Sequence, residues 1–258
     1  MSAIPATNQP VVHMENISRR FGSIVALEAV DFKVYAGEVT ALLGDNGAGK
    51  STLIKILTGV YTPTSGQIYF KGQPVTITSP RIARALGIET VYQDLALVPL
   101  MSVSRNFFLG REPLRSFGLL RLLDLKTMER QTTEALKDIG IEKFSKGRSV
   151  NEPVGKLSGG ERQSVAIGRA VHFGASVLIL DEPTSALSVA ETEKVLHYTQ
   201  KAKERGLAVI FVSHNMGHVM HVADRYVVMR HGRKVADYRK GELTEKDLAD
   251  LVTGEREK

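Results

Sequence analysis

Residues 44–52 of this 258-residue chain read Gly44-Asp45-Asn46-Gly47-Ala48-Gly49-Lys50-Ser51-Thr52. Their types and spacing suit the grip of a polyphosphate. Glycines let successive backbone N–H groups turn toward one anion, and a helix that starts directly afterwards adds the positive end of its dipole. The stretch fits the pattern G-x-x-x-x-G-K-[ST], in which Lys50 reaches the β- and γ-phosphates and the Ser51 hydroxyl is offered to Mg2+. Its flanks agree, because the apolar run Val39–Leu43 precedes it and the helix-like Leu53–Leu57 follows. Strand, glycine loop and helix is the context that gives the pattern meaning.

Four other places carry chemistry. Val177-Leu178-Ile179-Leu180 reads as a buried parallel strand whose end delivers the adjacent carboxylates Asp181 and Glu182. Asp181 is placed to hold Mg2+, often through water, and Glu182 to orient or deprotonate an attacking water. Ala208–Val212 is a second buried strand, followed by Ser213 and His214, a residue able to donate to a γ-phosphate oxygen. Leu157-Ser158-Gly159-Gly160-Glu161 opens a helix over 162–171, with Ser158 as its cap. Locally it reads either as a plain turn or as a second anion-facing helix start, and one ATP needs only one. Phe21 follows Arg19-Arg20 in what reads as a polar loop, where the ring would stack on adenine or staple the loop locally. A metal cluster at His214, His218 and His221 is disfavoured, since no carboxylate or cysteine completes it.

The elements that must position these groups form an α/β pattern. Short strands fill residues 11–43, giving a β-rich edge on an α/β core, and a strand over 87–92 ends in Gln93. Residues 94–157 break the strand–helix alternation and read as an inserted helical lobe, with a helix over 128–139. Its apolar loop Leu95–Met101 is either lobe core or a groove for another protein's helix. Two strands over 226–229 and 234–238 precede a last helix, capped at Thr244 and ending near Gly254. The boundaries expected are therefore 1–93 for the β subdomain and P-loop part of the core, 94–157 for the lobe, 158–240 for the rest of the core and 241–258 for a C-terminal helix and tail.

Composition excludes several classes. Cysteine is absent, so no disulfide scaffold is possible, and a reducing compartment is expected. The first ten residues lack the charged and apolar regions of a signal peptide. The apolar runs are strand-sized, short of the ~18 residues that a spanning helix needs. The net charge of +6 comes from scattered basic residues without interleaved aromatics or tryptophan, which argues against nucleic acid as a partner.

Taken in order, these motifs resemble the nucleotide-binding subunits of ATP-binding cassette (ABC) transporters over nearly the whole chain. The resemblance implies a P-loop NTPase core of RecA-like type, with an antiparallel β subdomain and an inserted α-helical subdomain. It implies ATP and Mg2+ as cofactors, Phe21 as the adenine-stacking ring, and Gln93 as a metal-contacting residue linking hydrolysis to docking. It makes Leu157–Glu161 the signature and His214 the switch histidine, and places Ser185-Ala186-Leu187 in a short loop that contacts the opposite subunit. In this family the signature of one subunit closes over the γ-phosphate held by another, so a chain with one copy of each motif is expected to pair with a second subunit on ATP. Integral permease subunits and, indirectly, a solute-binding protein are the other expected partners, at the cytoplasmic face of the inner membrane. A soluble ABC clamp on nucleic acid or ribosomes is the competing class; such proteins usually carry fused cassettes or long insertions.

A finer resemblance, through Thr62–Gly66, Thr78-Ser79-Pro80, 93–99 and Asn106–Glu112, is to carbohydrate importers of the fructose or ribose type. Ser188 departs from the family, which usually has aspartate there. Losing that charge is expected to loosen coupling between paired sites.

Overall fold

The computed structural model describes residues 9–92, 95–118, 120–141, 144, 147–185 and 187–255. Gln93, at the end of the strand expected over 87–92, and Ala186 lie outside them. An antiparallel sheet comes first in the chain, ordered β2-β1-β4-β5 from Val12–Phe21 (β1), Ile24–Val34 (β2), Ser65–Phe70 (β4) and Gln73–Val75 (β5). Strand β1 continues to Phe21 and turns tightly into β2, so Arg19–Phe21 belong to a strand end and not to a loop. The turn is Gly22, whose φ of +58° suits a residue without Cβ.

The central sheet has six strands, ordered β12-β11-β3-β10-β9-β6. Val39–Leu43 (β3), Ile88–Val91 (β6), Val177–Asp181 (β9) and Ala208–Val212 (β10) run parallel, joined by Arg225–Arg230 (β11) and its antiparallel neighbour Arg233–Arg239 (β12). Alternation along these strands serves two cores. Val39, Ala41, Leu178, Leu180, Val209 and Phe211 face one cluster, shared with helices and the inserted lobe. Leu42, Val177, Ile179, Ile210 and Val212 face the other, shared with the antiparallel sheet and helix Lys50–Leu57 (α1). Burial on both faces is why these strands read as unbroken apolar runs.

Register then fixes where the chemistry goes. Leu42 pairs beside Val212, and Val212 beside Asp181, so β3, β10 and β9 finish side by side and send their following residues to one edge of the sheet. Open parallel sheets hold ligands at that edge.

The inserted region is mainly helical, with Val103–Phe108 (α3) and Leu125–Asp138 (α4), but it also carries a hairpin, Leu114–Phe117 (β7) with Leu120–Leu123 (β8). Segments of four residues, Leu-Arg-Ser-Phe and Leu-Arg-Leu-Leu, are too short to show a period in sequence. A further short helix, Pro80–Ala85 (α2), begins on the Ser79 cap with proline in its first turn. Gly159–His172 (α5), Val189–Glu204 (α6), Met216–Val222 (α7) and Glu245–Thr253 (α8) are the remaining α-helices among the described residues. The last is capped by Thr244 and ends on left-handed Gly254, as the sequence leads one to expect.

Candidate active site

The glycine loop leaves β3 and enters α1 through three residues of positive φ, Gly44 (+146°), Gly47 (+78°) and Gly49 (+101°). Space forbids a side chain at two of them. A Cβ on Gly44 would lie 2.3 Å from the Met229 carbonyl oxygen, and one on Gly49 would lie 2.8 Å from Leu27 Cδ2 and 3.0 Å from the Ala26 carbonyl oxygen. The loop is thus pressed against β2 and β11, with the Gly232 N–H donating to the Ala48 carbonyl (3.1 Å) as a further prop. Within it, the Ala48 N–H donates to the Asp45 carbonyl and the Asn46 N–H to Asp45 Oδ1 (2.7 Å).

Lys50 Nζ reaches across the loop, donating to the carbonyls of Gly44 (2.7 Å) and Asp45 (3.1 Å). Burial pushes its pKa down, against the opposing pull of Glu182, Asp45 and Asp181. Asp181, half-buried at the end of β9, is shifted up by burial first and by neighbouring Glu182 second; Lys50 offsets part of this. Ser51 lies in the exposed first turn of α1. A serine hydroxyl and a desolvated carboxylate beside the phosphate-gripping lysine are hard oxygen donors of the kind Mg2+ takes.

Glu182 sits in left-handed backbone, φ +49°, which costs a non-glycine residue roughly 1–2 kcal/mol. Its N–H bonds the Val212 carbonyl (2.9 Å) and its carbonyl accepts from the Ser185 N–H and hydroxyl, so the tight turn is held from both sides. The result places Glu182 Oε1 3.0 Å from His214 Nδ1. The His214 ring is 78% exposed, free to face a ligand or a partner. Four residues beyond His214, His218 Nδ1 lies 3.0 Å from Thr184 Oγ1, a second tie between the histidine segment and the turn after Asp181. That pairing gives His218 a structural partner, and no group of three metal-binding side chains occurs among the described residues.

Lys50, Asp181, Glu182 and His214 therefore converge at one sheet edge, while Leu157–Glu161 are placed differently. Leu157 is buried in the lobe-side core. Ser158 caps α5 through a reciprocal capping box: the Glu161 N–H donates to Ser158 Oγ and the Ser158 N–H to Glu161 Oε2 (3.0 Å). Arg148 fastens Glu161 from the lobe (3.0 Å). The Gly160 N–H donates to Glu191 Oε1 (3.2 Å). This helix start is built against residues 187–191 of the same chain, not against residues 44–52.

Phe21 stands at the rim of the antiparallel sheet, 36% exposed, edge-on to Tyr61 (5.2 Å between centroids) and beneath the Arg19 guanidinium (4.6 Å). Both are contacts to the ring's immediate surroundings, and the ring stays partly exposed. The apolar loop is divided: Leu95 and Leu97 pack on the lobe-side core, while Leu100 is 91% exposed. Buried Asn106 clasps the loop, taking the Val98 N–H (2.7 Å) and donating to the carbonyls of Val98, Met101 and Ser102. Between Leu95–Leu97, Ala83, Tyr92 and Ala166 runs a surface groove. The sequence reading passed over Arg148, Thr184 and Glu191, and weighed His218 only as a metal ligand. Of these only Glu191 carried a signal, the Ser-x-x-Glu spacing from Ser188.

The chain matches the ABC transporter family over residues 27–185. It belongs to that family. The cassette is accordingly an ATPase. It is 42% identical over 253 residues to the fructose import ATP-binding protein FrcA of Rhizobium meliloti, covering 96% of each chain. It is 38% identical over 246 residues to the ribose import ATP-binding protein RbsA of Caldanaerobacter subterraneus subsp. tengcongensis, covering 95% of this chain but spanning about half of that one (48%). Among solved structures it resembles a nucleotide-free ATP-binding cassette from an ABC transporter, with a TM-score of 0.78 and 25% identity over 93% of this chain and 96% of the other. Among the described residues, no helix is long and apolar enough to cross a membrane.

Proposed function

We propose that the cassette is the energy-coupling subunit of an importer for a monosaccharide such as fructose or ribose. The observation that carries the sugar reading is the 42% identity to FrcA over 96% of both chains. In this reading the cassette works as a homodimer on ATP and docks on separate permease subunits at the cytoplasmic face of the membrane. The 94–157 region, with its groove beside Leu95–Leu97, supplies the docking surface, and Gln93 links the site to it. A solute-binding protein delivers the sugar from the far side.

At the site, Lys50 and the N–H groups of residues 44–52 hold the β- and γ-phosphates. Ser51, Asp181 and Gln93 would hold Mg2+, whose chemistry there would be to neutralise the charge that develops on the departing phosphate. Glu182 orients or deprotonates the water in line with that phosphate. His214, 3.0 Å from Glu182, fixes the carboxylate and faces the γ-phosphate. The signature Ser158–Gly160 comes from a second copy, its helix dipole directed at the same phosphate.

Reconstitution with the permease and binding protein in vesicles tests this reading. One monosaccharide should stimulate ATP hydrolysis and be taken up. Stimulation by no sugar, with RNA or DNA co-purifying and raising turnover, would overturn it.

A further inference from the structure

Glu191 is the third residue of α6 and lies outside every motif that the ATP site uses. One carboxylate there gathers donors from two separate segments. Its Oε1 accepts the Gly160 N–H at 3.2 Å, and its Oε2 accepts the Ser188 N–H at 3.1 Å and the Ser188 hydroxyl at 3.0 Å. Ser188 in turn accepts the Glu191 N–H, closing a capping box on α6. The packing is close as well as polar. A Cβ on Gly160 would lie 2.8 Å from Glu191 Cβ, and one on Gly159 would lie 2.7 Å from Leu187 Cδ2. The two glycines of the signature are thus needed for the approach of residues 187–191, apart from any phosphate.

We infer that Glu191 is a positioning residue: it ties the start of α5 to the turn at 187–188, so that the signature and the loop after Asp181 meet a second copy of the chain as one unit. The inference rests on the composite-site reading above. Its physical basis is preorganisation. Two segments held in one geometry lose little freedom on docking, whereas two that move separately must each be ordered at that moment. The carboxylate is suited to permanent duty. Hydrogen bonds, that of the Ser158 hydroxyl foremost, then those of the Ser188 and Gly160 N–H groups and the Ser188 hydroxyl, lower its pKa to about 2, so it stays ionised through the neutral range.

The test uses the full chain carrying Glu182→Gln, which is expected to bind ATP without turning it over because it lacks the carboxylate that would activate water. Pairing is followed by analytical ultracentrifugation over a range of protein concentrations at saturating MgATP. A fluorescent ATP analogue at concentrations too low for pairing reports the P-loop and the fold of each variant. Glu191→Leu, similar in bulk but without acceptors, is expected to bind the analogue within about twofold of the parent while needing at least tenfold more protein to pair. Glu191→Gln keeps the capping box and an acceptor for Gly160, and should pair within about threefold of the parent. Should Glu191→Leu lose analogue binding, Glu191→Ala replaces it in the same comparison. Pairing of the Leu or Ala variant at the parent's concentration, or equal weakening by Gln and Leu, overturns the inference and leaves the composite site standing. A parent that stays monomeric at saturating MgATP instead overturns the composite-site reading, and the role of the tether with it.

Discussion

Gly49 tests the claim that the glycine loop is shaped by its supports as much as by its ligand. Substituting alanine adds one methyl group, and its cost has two parts. With φ at +101°, an L-residue is strained by roughly 1–2 kcal/mol. The new Cβ also meets Leu27 Cδ2 at 2.8 Å and the Ala26 carbonyl oxygen at 3.0 Å, and the second of these is backbone of β2 that cannot swing aside. Overpacking of this kind costs about 1–3 kcal/mol. The sum is about 2–5 kcal/mol, which lowers Tm by about 4–20 °C in a chain of this size at 2–4 °C per kcal/mol. Gly47→Ala supplies the internal control. Its φ is +78° but nothing lies within 4 Å of its Cβ, so only the backbone part applies, about 1–2 kcal/mol and about 2–8 °C. Thermal unfolding of both variants beside the parent, with ATP affinity by calorimetry, separates the two parts. If Gly49→Ala melts as high as Gly47→Ala and binds ATP as tightly, the loop is not braced against β2 and the reasoning fails.

Further outcomes concern three residues, Asp181, Phe21 and Ser188. Asp181 has its pKa raised by burial and by Glu182, so the folded chain holds that proton to higher pH than the unfolded one. Its stabilising contribution is full below the unfolded value of 3.8 and is lost as pH rises through the folded pKa; Asp181→Asn should therefore raise Tm at pH 7, but not near pH 3.5, while abolishing ATP hydrolysis, and a lower Tm at pH 7 would contradict this. Phe21→Ala should weaken ATP binding roughly 2- to 10-fold in calorimetry, the worth of one stacked ring, and unchanged affinity would return Phe21 to a purely local contact with Tyr61 and Arg19. Ser188→Ala removes the α6 cap and should cost about 0.5–2 kcal/mol in denaturant unfolding. Ser188→Asp keeps the cap but sets a second carboxylate beside Glu191, and should change the ATP dependence or cooperativity of hydrolysis; identical kinetics would refute that.

The parts of the site legible in sequence are those whose chemistry is local. A glycine loop between a strand and a helix, and an apolar run closing on Asp181–Glu182, carry their meaning within ten residues, and the structure brings Lys50, Asp181, Glu182 and His214 to one edge because β3, β10 and β9 are neighbours. The strand order that makes them neighbours is not local, and it shows only in the folded sheet. Phe21 was assigned to a loop because Arg19-Arg20 look solvated; in fact Arg19 lies over the Phe21 ring, and the pair closes a strand. The β7–β8 hairpin was missed for a related reason, since its leucines stay exposed and leave no alternation of buried and solvated positions. Ser188 was read as a lost charge at a subunit contact. Its visible work is to cap α6 with Glu191, a capping box whose Ser-x-x-Glu spacing is present in the sequence.

The central claim is that the ATP site is completed by a second copy of the chain. Because the chain has no cysteine, single cysteines placed in the P-loop and in the signature report on it without background. Asn46→Cys and Ser158→Cys chains, each also carrying Glu182→Gln and distinguished by tags, are mixed with a short bis-maleimide. The account predicts a cross-linked product joining one tag to the other, formed with MgATP and not without it. No such product at saturating MgATP, or one formed equally without nucleotide, would contradict it.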